Sequence, residues 1–167
     1  MKIDIRDETP ADWGDISTIN RLAFHGDEEA ELVGRLRASG LVIASLVAIE
    51  GGRAVGHILF SDLPIEAEGG MVRAAGLAPM AVAPQLQRQG IGSALVRRGL
   101  DVCRERGISI VIVVGHPAYY PRFGFSSEAA KNLRAPFSGE AFMALELEPG
   151  ALRGVRGTVR YPAAFGL

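Results

Sequence analysis

The stretch from Leu77 to Phe125, LAPMAVAPQLQRQGIGSALVRRGLDVCRERGISIVIVVGHPAYYPRFGF, constrains the fold more than any other part of the chain. Its apolar opening, Leu77 to Val82, has strand character and runs into Ala83-Pro84, where regular pairing must break. Gln87-Arg88-Gln89-Gly90-Ile91-Gly92 follows, a short turn with two glycines that opens a helix. A second apolar strand, Ile108 to Val114, comes after the helix, and then Tyr119-Tyr120-Pro121-Arg122-Phe123-Gly124-Phe125. Strand, glycine turn, helix and strand make one crossover unit, which sets a helix N-terminus beside a sheet. Such a terminus carries unpaired N–H groups and roughly half a positive charge, so it suits an anion such as a phosphate. The reading is a pyrophosphate site followed by a tyrosine that does chemistry.

The rest of the chain predicts elements that would complete a sheet around this unit. Lys2 to Arg6 alternates as a first strand. Thr9-Pro10-Ala11-Asp12 reads as a helix start, with Thr9 as N-cap and Pro10 at the first helical position. That helix would bury Trp13, Ile16, Ile19 or Asn20, and Ala23, and stop at Gly26. Asp27 would cap a second helix ending at Gly40, with Leu32, Val33 and Leu36 as its stripe. Leu41 to Glu50 and Arg53 to Phe60 are strands joined by the hairpin signal Gly51-Gly52. Leu63 to Gly70 reads as a longer turn, and Met71 to Val82 as one strand in which Pro79 argues against full pairing. Gly90 to Arg106 is an amphipathic helix with Ile91, Leu95, Val102 and Cys103 inward and Arg97, Arg98, Arg104 and Arg106 outward. Ser126 to Gly139 reads as a loop, Ala141 to Leu147 as a strand, and Gly157 to Tyr161 as a last edge strand. The sum is one mixed α/β (α+β) domain over residues 1–167, with a mostly antiparallel sheet and one parallel crossover.

Composition narrows the function classes. The 167 residues are 48% hydrophobic and 22% charged, as in a soluble globular domain. A net charge of −1 gives no global argument for nucleic-acid or membrane binding. The single cysteine, Cys103, excludes an internal disulfide and a cysteine metal cluster, and its helical spacing marks it as core. The opening Met1-Lys2-Ile3-Asp4 does not read as a signal peptide, and no apolar run is long enough to span a bilayer. The expectation is a cytoplasmic protein.

The glycine turn alone is weak evidence, because two glycines before a helix often only allow close packing. Two phosphate-binding motifs can be set aside. A Walker loop needs Gly-Lys-Ser/Thr where Gly92-Ser93-Ala94 stands. A dinucleotide fingerprint needs a third glycine where Leu95 stands, and an acidic residue where the next strand ends in Val114-Gly115. In combination, Gln87-x-x-Gly90-x-Gly92 after an Ala-Val strand end and Tyr120-x-x-x-Gly124-Phe125 after the next strand resembles the GCN5-related N-acetyltransferase (GNAT) superfamily. The Ala-Pro-Met-Ala-Val strand and the Val159-Arg160-Tyr161-Pro162 ending extend the likeness to small bacterial acetyltransferases of one type within it.

That resemblance implies a fold with two early helices and a splay between the fourth and fifth strands, which absorbs Pro79. It implies acetyl-coenzyme A as cosubstrate, with no metal, and a primary amine as acceptor. The pyrophosphate would take backbone N–H groups of Gln87, Arg88, Gln89, Gly90, Ile91, Gly92 and Ser93. The pantetheine arm would pair with the splayed strand at Met80, Ala81 and Val82, with the Met80 N–H as oxyanion donor. His116, Tyr119 and Tyr120 would complete the cofactor wall. Tyr120, four residues before Gly124, matches the family's general acid for the leaving thiolate, with Tyr119 as the alternative; Phe123 and Phe125 read as core. The general base stays open among Glu28, Glu29, Glu31, His57, His116 and water.

A non-catalytic acyl-coenzyme A sensor is the competing class, and Tyr120 argues against it. A nucleotide-phosphate domain is weakened by the missing lysine and third glycine. The acceptor is a small molecule, peptide or protein amine of unread identity. The terminal strand suggests a homodimer edge.

Overall fold

The chain alternates between helices with one apolar stripe and strands with one or two apolar faces, and the computed structural model shows how these pair. It describes residues 2–137 and 139–167; Met1, in the opening Met1-Lys2-Ile3-Asp4, and Ser138, in the loop read from Ser126 to Gly139, lie outside the described residues. In order, β1 (Asp4–Asp7) leads to a 3-10 turn (Pro10–Asp12), then α1 (Trp13–Phe24), α2 (Glu28–Ala38), β2 (Val42–Glu50) and β3 (Arg53–Asp62). There follow β4 (Ile65–Ala67), β5 (Gly70–Val72), β6 (Ala75–Val82), α3 (Ile91–Glu105) and β7 (Ile110–Val114). The last strands are β8 (Leu133–Arg134), β9 (Phe142–Glu146) and β10 (Gly157–Val159).

The main sheet has the order β1-β2-β3-β6-β7-β9. Its β6–β7 pair is parallel, joined by the crossover through α3, and its other pairs are antiparallel. Strand alternation sorts the core into two layers. Leu46, Ile58, Phe60 and Leu77 pack under α3, while Val47, Leu59 and Ala81 pack under α1 and α2.

The β6–β7 pairing covers Ala75 to Leu77 against Val111 to Val113 and then stops. Beyond it, Met80, Ala81 and Val82 keep Ile58, His57 and Gly56 of β3 as partners on one side. Pro79 lies at the point of divergence, where it supplies no N–H to a ladder, and the β3 register shifts between Ile58 and Phe60. This is the splay expected from the sequence.

A second sheet, ordered β5-β4-β10-β8, corrects four expectations. The stretch Leu63 to Gly70 holds β4 and opens β5, and the strand read from Met71 begins as β6 only at Ala75. The loop Ser126 to Gly139 contains β8, which pairs parallel with β10. β10 is no edge strand: β4 takes its other side. Both of its sides are therefore engaged within the chain, so it offers no free edge to a second copy.

Helix ends differ in detail. Trp13 is 45% exposed rather than buried, because its indole N–H reaches outward to Glu8 at 2.7 Å and Arg37 stacks on its ring. His25, not Gly26, takes the left-handed position that ends α1, with φ of 56°. Asp27 bonds Arg21 at 2.8 Å instead of capping α2.

Candidate active site

The α3 N-terminus opens onto the splayed end of β6. Gly90 enters the helix with φ of +86°, a conformation that costs an L side chain but not glycine. Among the described residues no side chain caps this end, and the first intrahelical bond runs from Ala94 N to the Gly90 carbonyl at 3.0 Å. The N–H groups of Ile91, Gly92 and Ser93 precede that bond and have no carbonyl within the helix to bond. They are the donors an anion would use. Arg88 also holds a positive φ of 65°, which tightens the turn before them. At Gly92 a Cβ would lie 3.3 Å from the Met80 sulfur and 3.4 Å from the Tyr119 hydroxyl, so glycine keeps that space open.

A cleft of about 570 Å³ joins this cradle to the splay. Met80, Ala81 and Val82 form one wall and Gln87, Arg88, Gly90, Gly92 and Ser93 the next. Tyr119 and Arg122 close the far side, and Ala23 and Phe24 come in from the end of α1. Gln87 folds its side chain back, its amide donating to the Val82 carbonyl at 3.0 Å. Of the residues singled out in the sequence, Gln89, Ile91, His116 and Tyr120 do not line this cleft. Gln89 and His116 are exposed, and Ile91 is buried under α3. The His116 carbonyl instead accepts the Tyr119 and Tyr120 N–H groups at 3.0 and 3.3 Å and so shapes the tyrosine turn.

The two tyrosines diverge. The Tyr119 hydroxyl lies in the cleft, 3.0 Å from the Ser93 hydroxyl, and the Arg122 guanidinium stacks 4.4 Å above its ring. Tyr120, the first residue of the 3-10 turn Tyr120–Phe123, is 8% exposed and packs edge-on against Phe125. A Cβ on Gly115 would sit 2.4 Å from the Tyr120 ring, so that glycine is what admits it. Burial, with a smaller contribution from Tyr119, pushes the Tyr120 phenol up to about 12, so it stays protonated at neutral pH.

The base candidates do not meet in the cleft. Glu28, Glu29 and Glu31 occupy the first turn of α2. His57 is fully buried beneath α1 in a polar cluster, its Nε2 2.9 Å from Ser45 Oγ and its Nδ1 3.5 Å from Asn20 Nδ2. Burial lowers its pKa and keeps it neutral. Cys103 is buried under α3, and burial raises its thiol to about 12, so it supplies no thiolate nucleophile. Among the described residues no group of three or more His, Cys, Asp or Glu side chains is placed to hold a metal ion. None of their helices is long and apolar enough to cross a membrane.

Sequence reasoning missed Ala23, Leu86 and Arg122 as lining residues. Arg122 stands inside the quoted tyrosine segment, but its stacking on the Tyr119 ring is visible only in the fold. Ala23 reaches the cleft through tertiary packing of α1, which no local pattern announces.

Splayed strands opening onto an uncapped helix N-terminus define an acetyltransferase-type fold. The model of the acetyltransferase (GNAT) domain family matches residues 4–127 of the chain. An uncharacterized N-acetyltransferase of Escherichia coli, YhbS, is 38% identical over 164 residues, covering 96% of this chain and 97% of its own. Its crystal structure in complex with CoA superposes with a TM-score of 0.91 at 37% identity, covering 100% of this chain and 93% of that one. A GNAT family acetyltransferase from Brucella melitensis, solved with acetyl-CoA, gives a TM-score of 0.80 at 34% identity over 98% of both chains. The chain belongs to the GCN5-related N-acetyltransferase (GNAT) family.

Proposed function

We propose that the protein, as one domain over residues 1–167, transfers the acetyl group of acetyl-CoA to a primary amine by direct attack. The observation that carries this reading is the single cleft that joins the splayed Met80–Val82 edge to the uncapped N-terminus of α3. The cradle would hold the pyrophosphate, and the unpaired side of β6 would take the pantetheine arm as an added strand. The relatives solved with CoA and acetyl-CoA support this choice of ligand. A neutral amine then attacks the thioester carbonyl, the C–N bond forms and the C–S bond breaks, and the nitrogen gives up its surplus proton to water, from which the acid that serves the sulfur is restored. The Met80 N–H is the assigned donor to the oxyanion, a contribution that can reach ~3 kcal/mol of barrier. The leaving thiolate takes its proton from Tyr120, whose buried phenol is kept protonated at neutral pH.

A second reading gives the acid role to Tyr119, because Tyr119 and not Tyr120 is among the residues that line the cleft. One experiment separates these. Acetyl-CoA is titrated calorimetrically into the protein, and thiol release is then followed with a mixed amine panel for wild type, Tyr120→Phe and Tyr119→Phe. The expected result is saturable binding, release on at least one amine, and a loss in kcat on the order of 100-fold for Tyr120→Phe. A loss of that size in Tyr119→Phe alone would move the acid to Tyr119. Absence of binding would sink the cofactor assignment altogether.

A further inference from the structure

Tyr119 and Ser93 join two walls of the cleft across 26 residues of sequence, with their hydroxyls 3.0 Å apart. Ser93 stands in the first turn of α3, and Tyr119 immediately precedes the 3-10 turn Tyr120–Phe123. The Tyr119 ring is clamped by that turn itself. Tyr120 meets it edge-on at 5.1 Å, Phe123 at 5.3 Å, and the Arg122 Nε donates to the Tyr119 carbonyl at 2.9 Å. The ring and the turn thus form one block, and the Tyr119 hydroxyl is the point at which this block is hydrogen-bonded to the helix.

We propose that Tyr119 is a positioning residue: its bond to Ser93 holds the turn carrying Tyr120 at a fixed distance from the α3 N-terminus. Phosphates held by the helix and a proton donor held by the turn then share one frame. This inference rests on the assignment of Tyr120 as the acid. A proton donor must stand within about 3 Å of the sulfur it serves, and displacements on the order of 1 Å are costly in rate. A single 3-10 turn has few bonds of its own to resist such a shift. Neither hydroxyl of the pair needs to transfer a proton for this role.

Two substitutions remove the bond while sparing the packing. Tyr119→Phe keeps the ring and its stack with Arg122, and Ser93→Ala keeps the backbone N–H of the cradle. The assay is thiol release from acetyl-CoA with the fastest amine of the panel, or with water as acceptor where no amine reacts. Each variant should lose roughly fivefold in kcat, the worth of one net hydrogen bond. KM for acetyl-CoA should stay within about twofold, and the double variant should lose no more than either single one. In a Tyr120→Phe background, Tyr119→Phe should have no further effect, because positioning acts only through Tyr120. An unchanged kcat in Tyr119→Phe overturns the proposal, as does a change confined to KM. An equal loss in both backgrounds also overturns it, since Tyr119 would then act on the reacting atoms itself. Full turnover by Tyr120→Phe alone sinks the acid assignment and is read independently of Tyr119. Thermal melts of all variants establish that the fold is intact.

Discussion

At Glu8 one carboxylate accepts from three other side chains. The Trp13 indole donates at 2.7 Å, Arg37 donates at 2.8 and 3.0 Å, and the Ser45 hydroxyl closes on the same oxygen as Arg37 Nη2. Ser45 passes the connection inward to His57, and Asn20 reaches the far imidazole nitrogen, so a neutral ring protonated on Nε2 fits the chain of donors. Burial by itself would raise the Glu8 pKa. Its contacts with His57, Arg37 and Ser45 outweigh that and hold the carboxyl well below the usual carboxylate range. The sign follows from linkage. A depressed carboxyl stabilises the fold fully above its unfolded pKa, near ~4.3, and that contribution is lost as pH falls further. His57 acts in the same direction: its lowered pKa leaves it neutral in the fold, so stability declines as pH drops through ~6.5 and the unfolded ring protonates. Glu8→Gln should therefore cost about 2 kcal/mol at pH 8, by leaving Arg37 half-paired at a largely buried position. The cost should hold down to about pH 4 and then shrink steadily as pH falls further, because the unfolded carboxyl protonates first while the depressed one in the fold resists it. Thermal melts of both proteins across that range measure it, and a gap that stays constant with pH would refute the ionic account.

At the scale of elements, α3 lies on β3 through a contact that only glycine permits. A Cβ on Gly99 would stand 2.3 Å from the Phe60 ring, and Phe60 is itself fully buried with no room to retreat. Gly99→Ala gains helix propensity of about 1 kcal/mol but forces an overlap that costs roughly 1–3 kcal/mol and tilts the helix that carries the cradle. The expected outcome is a lower melting temperature together with weaker acetyl-CoA binding. A rise in stability would show that the ring can move aside. Elements of this length were legible in the sequence because their signals are local. The stripe of α3, the Gly51-Gly52 hairpin and the apolar run of β7 each declare themselves within a few residues. β8 and β4 do not, since two or three residues carry no period, and their pairing with β10 is decided by chain far away in sequence. The same limit applies to the cleft. The cradle was readable from Gly90 and Gly92, whereas the turn after β7 gave no sign of which of two adjacent tyrosines faces the cleft. A 3-10 turn lacks the regular facing that would have sorted Tyr119 from Tyr120.

Over the whole molecule, the last dozen residues tie the two sheets and the early helices together. β10 lies between β4 and β8, and the Arg160 N–H beyond it donates to the Pro64 carbonyl at 2.8 Å. Further on, Ala164 is buried among Ile16, Val33 and Leu36, and its carbonyl accepts the Arg35 Nε at 2.7 Å. One terminal segment thus closes the second sheet and also covers the layer under α1 and α2. Removing it would leave the β4–β5 hairpin with an unpaired edge and expose Ile65, Leu133 and their neighbours, the sort of isolated two-stranded unit that is marginal in water. A chain ending at Gly154 should lose its single cooperative melt and bind a hydrophobic dye at room temperature. Arg35→Ala, which removes the link to Ala164 and an exposed 3.9 Å ion pair with Glu31, should lower stability by about 1 kcal/mol and keep one transition. If the chain ending at Gly154 instead melts in one step within a few degrees of the full chain, the segment would be an accessory laid over a core that stands without it. The distinction bears on the cleft as well. Phe24 reaches the cleft from α1, and the packing of α1 and α2 over the sheet includes Ala164, so loss of the terminal segment should weaken acetyl-CoA binding even though no residue beyond Gly154 lines the cleft.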